Sequence, residues 1–513
     1  MLRGILTVGV WTLASRVLGF ARDVLIAAVM GATPLADAFF VALKLPNLFR
    51  RLFGEGAFNA AFVPAFSATL ATDGPALARA LADRMMGLLA AWLSVLTVLG
   101  WFGMPLLLLV LAPGFADDPA LWATTLELTR ITFPYLLLIC LTALVSGVLN
   151  GLDRFAAAAA APVLFNLAAM AALWGLAPFT ATPAHALAWG VTLSGVLQLA
   201  LVWWAAARAG MPLVPRLLRP DSRVRAVLRR MVPGVLGAGV TQINLALDVV
   251  ISSFLPGGSV SYLYYADRVA QLPLGVIGAA VGTAMLPVLA RQLGTGKPLS
   301  AHRTLNRAVE FSLALALPAS LALLAIAAPV VEALYLRGAF GPEAARATSA
   351  ALAAYAAGIP AFVLVKAYAP AFFARGDTAT PVRVGIAVVA LNLALNLLFT
   401  GPLGLGHVGI ALATTLSAWA NAAALAALLA RRGRWRADRR LRRRAPRLLL
   451  AALVMAAALL ALAAATFPAA PALRLPLLAL LVAAGLVVYF GTARLLGALA
   501  LSDLRSLRRR RAA

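Results

Sequence analysis

Charged and amide side chains recur at helical spacing inside segments that are otherwise apolar, and these are the residues able to do chemistry in this chain. Between Trp11 and Pro64 the sequence carries Arg16, Arg22, Asp23, Asp37, Lys44, Arg50, Arg51 and Glu55. Residues three, four or seven apart share a helix face. On that spacing Arg16, Gly19 and Asp23 form one stripe with Arg22 at its flank, and Asp37, Lys44, Asn47, Arg51 and Glu55 form a second. Ser261, Tyr264, Arg268, Gln271 and Gly275 form a third, with Asp267 beside Arg268. A charge at the bilayer centre costs about 2.5–3.5 kcal/mol even on a lenient insertion scale. Charges this numerous persist only where they face protein or water. Cations outnumber anions in the set, which suits an anionic ligand, above all a phosphate or pyrophosphate gripped bidentately by guanidinium groups. A structural use stands beside this one: Arg22 pairing with Asp23 or Asp37, Arg268 with Asp267 and Arg51 with Glu55, to lock helices together.

A fourth stripe, Thr241, Asn244, Asp248 and Ser252, is uncharged apart from one acid. Together with Asp377, Asn392 and Asn396 it offers oxygen ligands to a monovalent cation such as sodium; the alternative is hydrogen bonding between helices. No other cofactor is expected. The single cysteine, Cys140, excludes a disulfide framework, and His185, His302 and His407 are too scattered for a metal cluster.

The elements that hold these stripes are membrane helices. The 513 residues are 63% hydrophobic and 12% charged, with a mean hydropathy of +0.93, whereas soluble domains are about half apolar and a quarter charged. The net charge of +26 does not point to nucleic acid, because the basic residues cluster between apolar runs, as the positive-inside rule requires. Arginines outnumber lysines 41 to 3, a bias that makes any one loop arginine weak evidence of a role. The apolar N-terminus is interrupted by Arg16 and has no suitable cleavage site, so it reads as the first membrane helix rather than a signal peptide.

A span needs about 20 apolar residues. Fourteen are expected, near 4–30, 35–70, 79–111, 121–149, 155–178, 184–208, 230–255, 260–292, 304–336, 347–374, 381–400, 406–430, 448–467 and 475–497. Loops after the even-numbered spans hold most of the arginines and lysines, including the runs 208–230 and 431–447, which puts both termini in the cytoplasm. FVPAFSATLATDG at 62–74 matches MLPVLARQLGTGK at 285–297, and residues 150–170 match 374–395, at offsets of 223 to 226. Six spans separate the copies, so the halves are parallel repeats. The expected fold class is thus an all-α polytopic membrane protein with two six-helix lobes, 1–215 and 216–435, and two further helices in 436–513. Polar stripes on corresponding helices of the two lobes are expected to line one cavity. The last two helices, rich in Leu, Ala and Val, are either an apolar groove for a lipid tail or a peripheral packing pair.

The motifs SRVLGFARDVLIA, ADAFFVALKLPNLFRRLFGEGAFNAAFVP and YYADRVAQLPLGVIGAAVGTAMLP resemble those of the MurJ (MviN) family, bacterial lipid II flippases of the multidrug/oligosaccharidyl-lipid/polysaccharide exporter superfamily. The resemblance spans essentially the whole chain. It implies a non-enzymatic carrier in the bacterial cytoplasmic (inner) membrane. The carrier would move lipid II, the undecaprenyl-pyrophosphate-linked peptidoglycan precursor, from the cytoplasmic to the periplasmic leaflet by alternating access, for cell-wall biogenesis. By motif, Arg16, Arg22 and Arg268 correspond to residues near the pyrophosphate, and Asp23, Asp37, Arg50 and Glu55 to further polar positions. The implied partners are lipid II, membrane lipids and proteins of peptidoglycan synthesis or division. Asp248 and Asp377 match the family's sodium pattern, but Phe373 stands where that pattern has a polar ligand. The alternative is another exporter of the same superfamily, although a cationic-drug exporter would want an acidic cavity. A membrane-embedded enzyme would need a catalytic acid or base in its outer loops, where Asp117, Asp118 and Glu343 form no pair.

Overall fold

Proline sets many of the helix starts. Its fixed φ and missing N–H cost nothing in a first turn, and Pro34, Pro75, Pro119, Pro183, Pro298 and Pro342 all occupy that place. The computed structural model describes residues 2–51, 58–217, 221–467 and 473–498, with backbone alone for residues 2–6, 59–60, 232–241, 279–280 and 283–284. Glu55 and the basic tail of 505–511 therefore lie outside the described residues.

The first helices are α1 (Leu2–Met30), α2 (Pro34–Phe49), α3 (Phe58–Asp73), α4 (Pro75–Phe102) and α5 (Met104–Leu111). They are followed by α6 (Pro119–Thr132), α7 (Tyr135–Gly151), α8 (Phe155–Gly175), α9 (Pro183–Arg208) and α10 (Ser222–Ser252). Then come α11 (Ser259–Gly294), α12 (Pro298–Ala325), α13 (Ala327–Tyr335), α14 (Pro342–Ala356) and α15 (Ile359–Phe373). The chain ends with α16 (Ala379–Thr400), α17 (Gly406–Arg431), α18 (Arg439–Thr466) and α19 (Arg474–Leu495). No strand occurs among the described residues. Fourteen spans are expected from the sequence; ten helical stretches among the described residues are long and apolar enough to cross a membrane. These are α4, α6 with α7, α8, α9, α12, α14 with α15, and α16 to α19.

The repeat governs the helix boundaries. α4 and α12, α6 and α14, and α9 and α17 each begin 223 residues apart. Even the breaks recur: α4 gives way to α5 at Gly103 and α12 to α13 at Ile326. α11, at Ser259–Gly294, corresponds to the stretch that holds α2 and α3.

By contacts the chain divides into two compact units, residues 1–261 with 338–340, and residues 262–337 with 341–513. In the first, Phe58, Phe62, Phe66, Ala82, Val145, Leu149, Val202 and Ala206 are buried together. In the second, the residues 223 further on, Val281, Met285, Leu289, Leu305, Tyr368, Phe372, Leu425 and Leu429, form the corresponding cluster. The same positions pack with different side chains, each aromatic ring in one copy being matched by an aliphatic side chain in the other. In lipid, such close packing and polar contacts, rather than water exclusion, hold helices together.

Polar pins repeat as well. In the first unit Asp83, 2% exposed, accepts from Val214 N at 2.8 Å and so ties the segment after α9 to α4. In the second, Asn306 Oδ1 accepts from Asp438 N at 3.0 Å and ties the segment after α17 to α12. There α18 is further fastened by Glu310, which meets Arg307 at 2.5 Å, Arg440 at 3.1 Å and Arg444 at 2.6 Å. Tyr489 on α19 donates to Ala314 O at 2.6 Å, and Leu459 of α18 lies against Gly485 of α19.

Candidate substrate-binding residues

The α1 stripe folds into a buried ion pair. Arg22 and Asp23 are 7% and 3% exposed. Arg22 Nη2 and Nε reach Asp23 Oδ1 at 2.6 and 3.1 Å. Nη1 donates to Asn166 Oδ1 on α8 at 3.1 Å, and the guanidinium carbon stands 5.1 Å from the Phe165 ring centroid. Asn166 Nδ2 in turn donates to Ser15 O at 2.9 Å, which fixes the amide's orientation. Removing one partner of a buried pair costs about 3–5 kcal/mol because the other charge is stranded. The cation is thus held in one orientation before any ligand arrives. Arg16, on the same helix, is exposed.

Asp37 does not pair with Arg22. It is 2% exposed, and its oxygens accept from Gly258 N at 2.6 Å, Ser261 N at 2.7 Å and Ser261 Oγ at 2.5 Å. These donors belong to the first turn of α11, where unsatisfied N–H groups and the helix dipole favour a carboxyl group. One further contact of this unit joins distant segments: Ala339 N donates to Ala28 O at 2.8 Å. Neighbouring Gly338, at φ +57°, would place a Cβ 2.2 Å from that same oxygen, so no side chain fits.

Further along α2 the stripe makes local hydrogen bonds. Asn47 Nδ2 donates to Leu43 O at 3.0 Å, and Arg50 Nε to Asn47 Oδ1 at 3.3 Å. Lys44 is half-buried and Arg51 exposed. The structure thus uses part of the stripe for local hydrogen bonding, which spacing alone does not reveal.

In the second unit the α11 stripe continues through Tyr264, Arg268 and Gln271. The Arg268 guanidinium lies 4.7 Å from the Tyr264 ring centroid, and Gln271 Nε2 donates to Asp267 Oδ2 at 2.5 Å. Lys366, on α15, joins this face: its Nζ is 2.6 Å from where a Cβ on Gly278 would stand. Lys366 is exposed on a helix whose residues are mostly buried. Its neighbours on α15 are apolar, so no stripe marks it in the sequence. Asn166 escapes for the same reason: it is one amide in an alanine-rich helix.

The acids matched to a sodium site have different settings. Asp248 is half-buried on α10 of the first unit. In the second, Asp377 Oδ1 accepts from Thr380 N at 3.0 Å and Oδ2 from Thr380 Oγ1 at 2.8 Å and Arg432 Nη1 at 2.5 Å. These bonds, Thr380's first, hold the carboxyl below the usual carboxylate range. Nearby, burial and then Arg434 push the Arg375 guanidinium below its ordinary value. Asn396 Nδ2 donates to Asn392 Oδ1 at 3.0 Å further along α16. Fifteen positions separate Asp377 from Asn392, about 20 Å of helix, so those two cannot ligate one ion. Among the described residues no three His, Cys, Asp or Glu side chains are placed to hold a metal.

Residues 26–478 match the family described as lipid II flippase MurJ. The chain belongs to the MurJ family. A probable lipid II flippase MurJ from Rhizobium meliloti (strain 1021) is 43% identical, covering 97% of this chain and 94% of its own. The solved structure of a lipid II flippase MurJ in an inward closed conformation aligns with a TM-score of 0.79 at 23% identity, over 95% of this chain and 98% of that one. A multidrug MATE transporter of the MOP superfamily, inward-facing, aligns at 0.70 and 14% identity over 82% and 94%. The MurJ fold thus extends over nearly the whole chain, and this is a family of transporters.

Proposed function

We propose that this chain moves lipid II from the cytoplasmic to the periplasmic leaflet of the bacterial inner membrane by alternating access. Arg16, Arg22 and Arg268 take the pyrophosphate. Asp23, Asp37, Lys44, Asn47, Arg50, Arg51, Glu55, Ser261, Tyr264 and Gln271 shape the polar surface around the headgroup. The observation that carries the reading is the fixed setting of Arg22 in a member of this family. A guanidinium pre-oriented by Asp23, Asn166 and Phe165 pays little ordering cost when an oxyanion arrives. An Asp37 carboxyl bonded to the start of α11 supplies a contact that the transport cycle can break and remake. Two pyrophosphate charges crossing 100 mV involve about 4.6 kcal/mol, and an inside-negative potential favours outward movement of the anion.

The ten apolar stretches are joined in this reading by four more spans, α1, α2 with α3, α10 and α11. Of these α1, α10 and α11 run 29, 31 and 36 residues, against the roughly 20 a bilayer requires. Fourteen spans put both termini in the cytoplasm. The layout is two lobes, 1–215 and 216–435, followed by residues 436–513, and the loop arginines support it.

Arg22→Ala and Arg268→Ala, each produced and inserted at normal levels in cells depleted of their own flippase, are expected to abolish growth and lipid II export. Full complementation by either variant rules out the pyrophosphate role assigned to that arginine.

A further inference from the structure

We infer that the Arg432 guanidinium is the resident cation of the Asp377 carboxylate and stands where a diffusible sodium ion would otherwise bind. The inference concerns the coupling ion and is independent of which lipid is carried. Asp377 precedes α16 and offers two oxygens, and the chain itself fills them. Thr380 donates through its N–H at 3.0 Å and its hydroxyl at 2.8 Å, and Arg432 Nη1 donates at 2.5 Å.

Arg432 is fixed on further sides. Its Nη2 donates to Thr380 Oγ1 at 3.1 Å, and its guanidinium carbon lies 5.8 Å from the ring centroid of Phe372. Arg434 Nη1 stands 3.8 Å behind, at the same Asp377 oxygen. A sodium ion at this carboxylate would meet two guanidinium groups, and like charges repel strongly at such distances.

The other oxygen ligands do not compensate. Asn392 and Asn396 lie some four turns along α16, bonded to each other. A sodium ion is a compact sphere wanting several oxygens, whereas the planar Arg432 fork reaches one carboxylate and one hydroxyl here. The residues present suit the second cation and not the first.

The test uses the purified full-length chain in nanodiscs. Melting temperature is read in NaCl, KCl and choline chloride at equal ionic strength, and binding is read with radioactive sodium. The variants are Arg432→Gln, Arg432→Lys, Asp377→Asn and the double variant Asp377→Asn with Arg432→Gln. The expected result is one melting temperature in all three salts and no bound sodium above background for the unaltered chain. Arg432→Gln and Asp377→Asn lower the melting temperature by similar amounts, the double variant lowers it no further, and Arg432→Lys recovers part of the loss. Sodium binding or a sodium-specific rise in melting temperature that Asp377→Asn abolishes overturns the inference. So do fully additive effects of the two single variants. Failure of the lipid II reading would leave all of these readouts unmoved.

Discussion

Asp37 and Asp377 do similar chemistry in opposite surroundings. Each carboxyl accepts backbone N–H at a helix start, Asp37 from α11 and Asp377 from its own α16. Asp37 is 2% exposed and satisfied by neutral donors. Asp377 is more open, its side chain 21% exposed, and it is held by two arginines. Where water is absent, a lost hydrogen bond strands its donors at full cost; where water reaches, solvent replaces the partner. The difference teaches that an acid's type and helical position do not set its worth. Its access to water does.

The largest test of that difference is Asp37→Ala. It strands Gly258 N–H, Ser261 N–H and the Ser261 hydroxyl, and is expected to cost about 3 kcal/mol or more, read as a lowered thermal unfolding midpoint and failed complementation. Asp37→Asn keeps one acceptor oxygen but turns an N–H toward the remaining donor, so it should fall between. An unchanged midpoint for Asp37→Ala would erase the contrast. Next in size is Asn166→Ala, which removes one hold on Arg22 and should cost about 1–2 kcal/mol, with lipid II export reduced further than the stability loss explains. If export stays normal, Arg22 does not depend on Asn166 for its orientation. The smallest effect belongs to Asp377→Asn, a slight lowering of the unfolding midpoint. High salt should shrink that difference, because exposed charges are screened, and leave the Asp37→Ala loss unchanged. The reverse salt response would break the comparison.

Much of the fold was legible in the sequence, and the reason is the repeat. An offset of 223 between short motifs carries through to helix starts, to interruptions at Gly103 and Ile326, and to the paired cores around Phe66 and Leu289. Helical periodicity likewise places Arg16 and Asp23 on one face and Tyr264 and Arg268 on another. What the sequence missed were polar groups contributed singly by apolar helices. Asn166 lies 144 residues from its partner Arg22, Lys366 lies 88 residues from Gly278, which it packs against, and neither belongs to a stripe. Periodicity detects neighbours on one helix and is blind to a lone polar residue on the next.

The sequence by itself determined the helical membrane class, the repeat, the family and the residues that carry charge into the apolar segments. These follow from composition and from spacing along one chain, which backbone geometry turns directly into helix faces. Only the tertiary structure decided what each charge meets. Arg22 is clasped by Asp23 and Asn166, Asp37 is spent on the start of α11, and Asp377 answers to Arg432. Hydrogen bonds and ion pairs act over about 3 Å, a distance that residues far apart in the chain reach only when helices pack.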